Sequence, residues 1–500
     1  MEQQHHKLLT ILAEISDLDA ASSALSWDQQ TYMPPGGAQR RGQVRGTLQR
    51  LSHDKFASQE MGELLEQLEP YAAQLDPDSD EARIILDTAR IYRKQTRVPS
   101  ELVEEQAQAI SLATQAWQQA RRENNYALFR PHLERIFHLK RQYAALFAPY
   151  EHIYDPLLDD YERGMTTSQV KDIFAVLRPQ QVGLIQAIQN RPSIDDSFLH
   201  QPFDPQKQWD FSVEVITKFG YDWSRGRLDK APHPFSQSLG LGDVRITTRL
   251  IPEFFNPMLF GTMHETGHAL YSLGMDPALD RTSVAHGASL AVHESQSRLW
   301  ENLVGRSYAF WQGFYPRLQE FFPSQLGGIN ADKFYRGINK VQPSLIRVEA
   351  DEATYNLHVM LRLEVEIALL EGSLDTGDLP EYWNTRMQEY LGIRPPNDTD
   401  GVLQDIHWSI GLVGYFSTYA LGNLISVQLW ECILRDIPDL PEQIRRSEFA
   451  ALLAWLRQNI HRHAAKYAPQ ELVERVTGSP IDPAPYMRYL QTKYGEIYGL

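Results

Sequence analysis

Cysteine is nearly absent from this 500-residue chain: Cys432 stands alone. One thiol forms no intramolecular disulfide, so a reducing, cytoplasmic setting is expected. Long apolar runs are missing as well. The longest apolar block, Phe449 to Leu456, falls far short of the roughly 18 residues that a bilayer-crossing helix requires. Met1 to Leu18 lacks the basic, then apolar, then small-residue succession of a signal peptide. No glycine-rich phosphate loop, dinucleotide fingerprint, internal repeat or low-complexity tract occurs. Positive charge is in deficit, with a net charge of −16. That is the wrong sign for neutralising phosphates, which argues against nucleic acid as a partner. The expectation is a globular chain with neither membrane nor nucleic-acid partners.

The chain has enough apolar residues, 42% against 22% charged, to bury a large core. Its length allows three units of roughly 150 residues or one large body. No composition shift marks a border, so residues 1–500 are read as a single domain. Most of the chain has a helical period. Glu101 to Ala144 is rich in helix formers, with Leu102, Ala109, Leu112 and Trp117 as its apolar stripe. Ala353 to Glu371 carries Leu357, Leu361, Val365 and Ala368, ended by Gly372 at a C-cap. Turn clusters at Pro34–Gly37, Asp76–Asp78, Arg191–Pro205, Pro395–Asp398 and Ser479–Pro485 separate such stretches. One region differs. Val244, Ile246, Thr248 and Leu250 alternate with polar residues, the period of a strand, and a turn-prone Leu239–Asp243 precedes them. Phe235 to Leu250 is therefore read as a hairpin.

His264-Glu265-Thr266-Gly267-His268 is an H-E-x-x-H. Four residues apart on a helix, the two imidazoles share a face and grip one ion, and the adjacent glutamate is placed to move a proton. The motif alone arises in about 3% of random chains of this composition, so five residues do not decide the matter. Gly267 within the helix costs about 1 kcal/mol relative to alanine, which favours a close backbone approach there. Catalytic zinc needs a third protein ligand and one open position. The close third histidine of the metzincins is missing. Glu294, 26 residues beyond His268 on the next helical segment, Ala288 to Gly305, offers the two-histidine-one-glutamate arrangement of a gluzincin. Spacing leaves His286, His293 and Glu301 as competitors.

Six blocks in order carry a family resemblance: His233-Pro234-Phe235, Asp243-Val244-Arg245-Ile246-Thr247, His264 to His268, His293-Glu294-Ser295-Gln296, Ile346 to Asp351, and Gly401 to Trp408. Across its length the chain resembles the thermostable-carboxypeptidase family of zinc metallocarboxypeptidases, peptidase family M32. The resemblance implies an almost wholly helical (all-α) gluzincin fold with two walls of helices around a deep groove and the metal at its floor, to which the hairpin read above adds a small sheet near the metal. It implies release of single residues from peptide C-termini with broad preference, and a homodimer. It also makes Glu294 the third ligand beside His264 and His268, holding Zn²⁺, with Co²⁺ or Mn²⁺ acceptable to the same donors.

A carboxypeptidase must bind a free carboxylate one residue beyond the scissile bond. Arg347 and Arg245 are the candidate cations, with His233 a possible donor, and Arg298 is read as the structural partner of a site carboxylate. The developing oxyanion needs donors. His407 and Tyr419, 12 residues apart, are the expected pair, Tyr415 being the rival tyrosine. Asp405 is expected to orient a neighbouring imidazole. Glu265 is expected to act as general base. His5, His6, His461 and His463 are read as solvated, and Cys432 as a core residue. The expected function is therefore a metal-dependent carboxypeptidase acting on peptides with a free C-terminus. The alternatives are a helical oligopeptidase or dipeptidyl carboxypeptidase, or a non-enzymatic scaffold around a structural zinc.

Overall fold

The computed structural model describes all 500 residues, Met1–Leu500. Helices dominate it, as the sequence periodicity predicts. The segment read as one helical stretch from Glu101 is two helices, Ser100–Glu123 and Tyr126–Ala145, parted where Asn124 takes a left-handed conformation (φ 50°). Its buried stripe is Ala109, Ala113, Trp117 and Ala120, whereas Leu112 is 58% exposed. Leu112 lies about one residue off the 3.6-residue register that buries the others. The helix Tyr355–Glu371 ends at Gly372 in the left-handed region (φ 77°), the C-cap expected. This helix is buried all round, with Arg362, Glu366 and His358 inside alongside its leucines.

The hairpin is present. β2 (Ser236–Ser238) pairs antiparallel with β3 (Val244–Thr248), with Gln237 opposite Arg245. A third strand, β1 (Leu228–Lys230), joins the other edge of β3 in parallel, giving the order β1-β3-β2. Three residues are too few to display a period, so β1 left no mark in the sequence. Val244 and Ile246 point from β3 into a small separate core with Ile216, Tyr221, Leu228, Ala269 and Leu273. The last two come from the H-E-x-x-H helix, Asn256–Leu273. The sheet thus packs directly under the motif. Elsewhere one continuous cluster of buried apolar side chains runs from Leu8 to Ile497. No helix is long and apolar enough to cross a membrane.

Candidate metal centre and active site

Three helices build the centre. The first, Asn256–Leu273, begins with Pro257 in its opening turn and carries His264, Glu265 and His268. The second, Leu290–Arg298, is capped by the Ser289 side chain on the Val292 N–H and carries Glu294. The third, Ser417–Asp436, packs over the second. Close approach among them depends on two glycines. A Cβ on Gly267 would meet the Gln296 carbonyl oxygen and the Ser297 Cα at 2.6 Å, so the expected tight approach is real. A Cβ on Gly422, in the third helix, would meet Glu294 Cβ at 2.7 Å.

The ligand atoms of His264, His268 and Glu294 lie within 4.8 Å of one another. Nε2 of each histidine is 3.5 Å from Glu294 Oε2. Ligand bonds of about 2.0–2.2 Å to a tetrahedral centre put donor atoms about 3.3–3.6 Å apart. The donor set therefore fits one small divalent ion. The competitors left open by spacing occupy other places. Glu301 Oε2 accepts from His264 Nδ1 at 2.9 Å, and His293 Nδ1 lies 2.6 Å from His268 Nδ1. Both sit behind the imidazoles and set their orientation, leaving Nε2 of each toward Glu294. His286 bonds the Gly287 carbonyl and stays exposed.

Arg298 ties the acids together. Its Nε donates to Glu294 Oε1 at 2.7 Å and its Nη1 to Glu301 Oε2 at 3.2 Å, as expected of a structural partner. Burial opposes ionisation of Glu294, but Arg298 and the imidazoles outweigh it and hold its carboxyl well below the ordinary range. Glu301 is held low in the same way. Glu301 lies on a π-helical turn, Leu299–Val304, that continues the second helix. The turn brings its carboxylate round to His264. Burial pushes His293 well below its usual pKa, so it is neutral, and its Nδ1 is placed to accept the proton that His268 carries on Nδ1 when its Nε2 serves an ion. Glu265 is 7% exposed, and burial raises its pKa despite the lowering effect of the two histidines. A carboxyl poised upward in this way is suited to exchanging a proton.

A second cluster adjoins the first. His407 Nε2 lies 3.3 Å from the Tyr419 hydroxyl, and the Tyr415 ring stands 5.3 Å from that of Tyr419. Burial lowers the His407 pKa to about 4 and raises that of Tyr419, so the imidazole is neutral and the phenol keeps its proton. Tyr419 belongs to the same helix as Gly422, which seats it beside Glu294. Arg347, 3% exposed, directs Nε and Nη2 to Asp405 Oδ1 at 3.2 and 2.9 Å, and Nη1 to the Tyr355 hydroxyl at 2.7 Å. Its guanidinium lies 4.8 Å over the Tyr419 ring. Asp405 does not orient an imidazole by a hydrogen bond. Its nearest approach to His407 Nδ1 is 3.7 Å, and its oxygens serve Arg347 and Arg362 instead.

The remaining candidates stand apart from these clusters. Arg245, on β3, makes a two-pronged pair with Asp243 and lies 5.9 Å over Trp27. His233 is exposed in the loop before β2, where Pro234 lies against Gly261, one turn ahead of His264. His461 corrects an expectation. It is fully buried and bonds the Gln296 side chain at 3.0 Å, because the chain turns inward after the helix Ala450–Asn459. His5 is half-buried and paired with Glu81. Cys432 is buried, as expected. Sequence reasoning missed Arg362, Glu366 and Tyr355. The first two stand four apart within an apolar helix, the only signal that would have raised them.

A cavity of about 780 Å³ adjoins the metal cluster through His293 and is lined by Ser238, Leu241, Tyr161, His286 and Asp87 among others. Tyr161 in turn meets Tyr415 edge-on, with ring centres 5.3 Å apart.

Residues 7–494 match the family model described as carboxypeptidase Taq (M32) metallopeptidase. The chain is similar to thermostable carboxypeptidase 1 of Thermus thermophilus, 42% identical over all of this chain and 99% of the relative. It is also similar to carboxypeptidase 1 of Bacillus subtilis, 36% identical over 98% of this chain and 97% of that one. Among solved structures, the M32 carboxypeptidase from Deinococcus radiodurans superposes with a TM-score of 0.97 at 39% identity, both chains being covered completely. The carboxypeptidase of Pyrococcus furiosus, in a form described as apo-Mg, superposes at 0.95 with 36% identity over 99% of each chain. With the fold, the three-ligand cluster and these similarities in agreement, the chain belongs to the carboxypeptidase Taq (M32) metallopeptidase family.

Proposed function

We propose that this protein is a zinc-dependent carboxypeptidase that removes single residues, with broad preference, from peptides bearing a free C-terminus. The observation that carries the reading is the facing of one carboxylate oxygen, on Glu294, by two imidazole nitrogens at 3.5 Å each, beside a buried Glu265. His264, His268 and Glu294 would hold the ion, which supplies Lewis acidity to water and to the peptide carbonyl. Two histidines and one glutamate at tetrahedral spacing favour zinc, with cobalt or manganese able to replace it.

The chain's own groups do the rest. Glu265 takes a proton from the attacking water and returns it to the departing amine. The Tyr419 hydroxyl, with His407 beside it, donates to the carbonyl oxygen as negative charge develops there. Arg347 keeps N–H groups beyond those given to Asp405 and Tyr355, and serves as the cation for the substrate carboxylate. Arg245 and His233 would contact the peptide along the β2 edge. Tyr415 would line the site and hold the Tyr419 ring in place. The cavity beyond His293 takes the part of the peptide upstream of the cleaved bond. The working form is a homodimer.

A six-residue peptide tests the reading. Incubation should yield a ladder of single losses from the C-terminus, read by mass, and amidating that terminus should abolish it. Cleavage of the amidated peptide at the same rate would identify an oligopeptidase instead. Glu265→Gln should keep one ion per chain while turnover falls by about 10²–10⁴. Near-full turnover in that variant would eliminate Glu265 as the base.

A further inference from the structure

Glu366 lies outside the proposed machinery, yet it is fully buried and three donors converge on it. Trp408 Nε1 donates to Oε1 at 2.8 Å. The Gly414 N–H donates to Oε2 at 3.0 Å, and the Tyr154 hydroxyl to the same oxygen at 2.6 Å. Trp408 directly follows His407, and Gly414 directly precedes Tyr415. One carboxylate therefore ties down both ends of the loop that presents His407 and leads into Tyr419. A turn earlier on the same helix, Arg362 grips the start of that loop through Asp405 Oδ2 at 2.6 Å and Gln404 Oε1 at 2.8 Å. Burying a carboxylate is costly unless its oxygens are satisfied. A core that needed only volume at this position would hold an apolar side chain, as the flanking Val365 and Ile367 do.

We propose that Glu366 is a positioning residue for the reaction, holding the His407–Tyr415 loop so that the His407 imidazole and the Tyr419 hydroxyl meet the substrate carbonyl. It touches neither substrate nor ion and acts through the loop alone. The three partners explain why a carboxylate is required. The Gly414 and Trp408 N–H groups only donate, and a glutamine of the same size must turn its NH₂ toward one of them. The proposal rests on the reading of His407 and Tyr419 given above.

Glu366→Gln tests it. Expected is a fall in kcat of about ten- to a hundredfold from misplacement of the loop. KM for the peptide should stay within about twofold, and the ion content should equal that of the unaltered chain. Trp408→Phe, which deletes the donor to Oε1 while keeping an aromatic ring against Phe137, Trp383 and Phe416, should give a smaller loss of the same kind, and it keeps the test open should the glutamine variant fail to fold. In a chain already carrying His407→Ala and Tyr419→Phe, Glu366→Gln should cost nothing further. Unchanged kcat in folded Glu366→Gln and Trp408→Phe overturns the proposal. An equal loss in both backgrounds also overturns it, leaving a purely structural role. Full activity of the His407→Ala, Tyr419→Phe chain would instead bring down the underlying reading, and the proposal with it.

Discussion

At the scale of single residues, the two histidines of the H-E-x-x-H are held differently. His264 gives its Nδ1 proton to the Glu301 carboxylate, whereas His268 gives its own to a neutral His293. A carboxylate behind an imidazole raises its basicity more than a second imidazole does, so His264 is the stronger prospective ligand. Glu301→Gln keeps an acceptor for His264 and Arg298, which share Oε2, but removes the charge and turns an NH₂ toward Arg306. The expected result is a divalent-ion affinity weakened by about 10- to 100-fold, measured by competition with a chelator. An unchanged affinity would show that the negative charge behind His264 is immaterial. The sequence singled out both second-layer residues, Glu301 and His293, only as rival ligands. Their spacing from His268 is compatible with either place, and for Glu301 the distinction rests on a π-helical turn that no residue pattern announces, whereas His293 is placed by the packing of its α-helix against the motif helix.

At the scale of elements, helix-to-helix distance governs the site. Gly267 and Gly422 let the second helix sit between the first and the third, with Glu294 trapped against both. Gly422→Ala should drive the added methyl into Glu294 Cβ, costing about 1–3 kcal/mol of stability and reducing ion content at fixed free metal. Thermal denaturation with and without added zinc reads both effects. A variant as stable and as fully loaded as the parent would mean that the helices part without disturbing Glu294. The sequence flagged Gly267 because glycine is unfavourable in mid-helix, but Gly422 escaped notice within a run of apolar residues. The hairpin was legible from its alternation of period two. Its placement under the motif helix was not, since Ala269 and Leu273 read equally well as contacts to any apolar surface.

At the scale of the whole molecule, buried carboxyls make stability depend on pH. Glu162 is completely buried, accepts from the Ala291 N–H at the start of the second helix at 2.6 Å, and is pushed by burial from an ordinary 4.5 up to about 8. Between those values the folded chain keeps a proton that the unfolded chain has released, so this group makes stability fall as pH rises through the window. Glu162→Gln removes that dependence. The melting temperature of the variant, measured against the parent, should therefore gain several degrees between about pH 5 and pH 8. A constant difference would mean that the carboxyl is ionised in the fold. The helical class, the strand pair, the metal motif and the six blocks were all decided by sequence alone, because they are written in local spacing: period 3.6, period two, or fixed order along the chain. Tertiary structure alone decided that Arg347 meets Asp405 across the two motifs that carry them. It alone set Arg362 and Glu366 inside a helix whose pattern placed only apolar residues there, and it turned His461 inward. Those outcomes depend on which distant surfaces pack together, and a buried charge is stable only where its partner, remote in sequence, arrives to meet it.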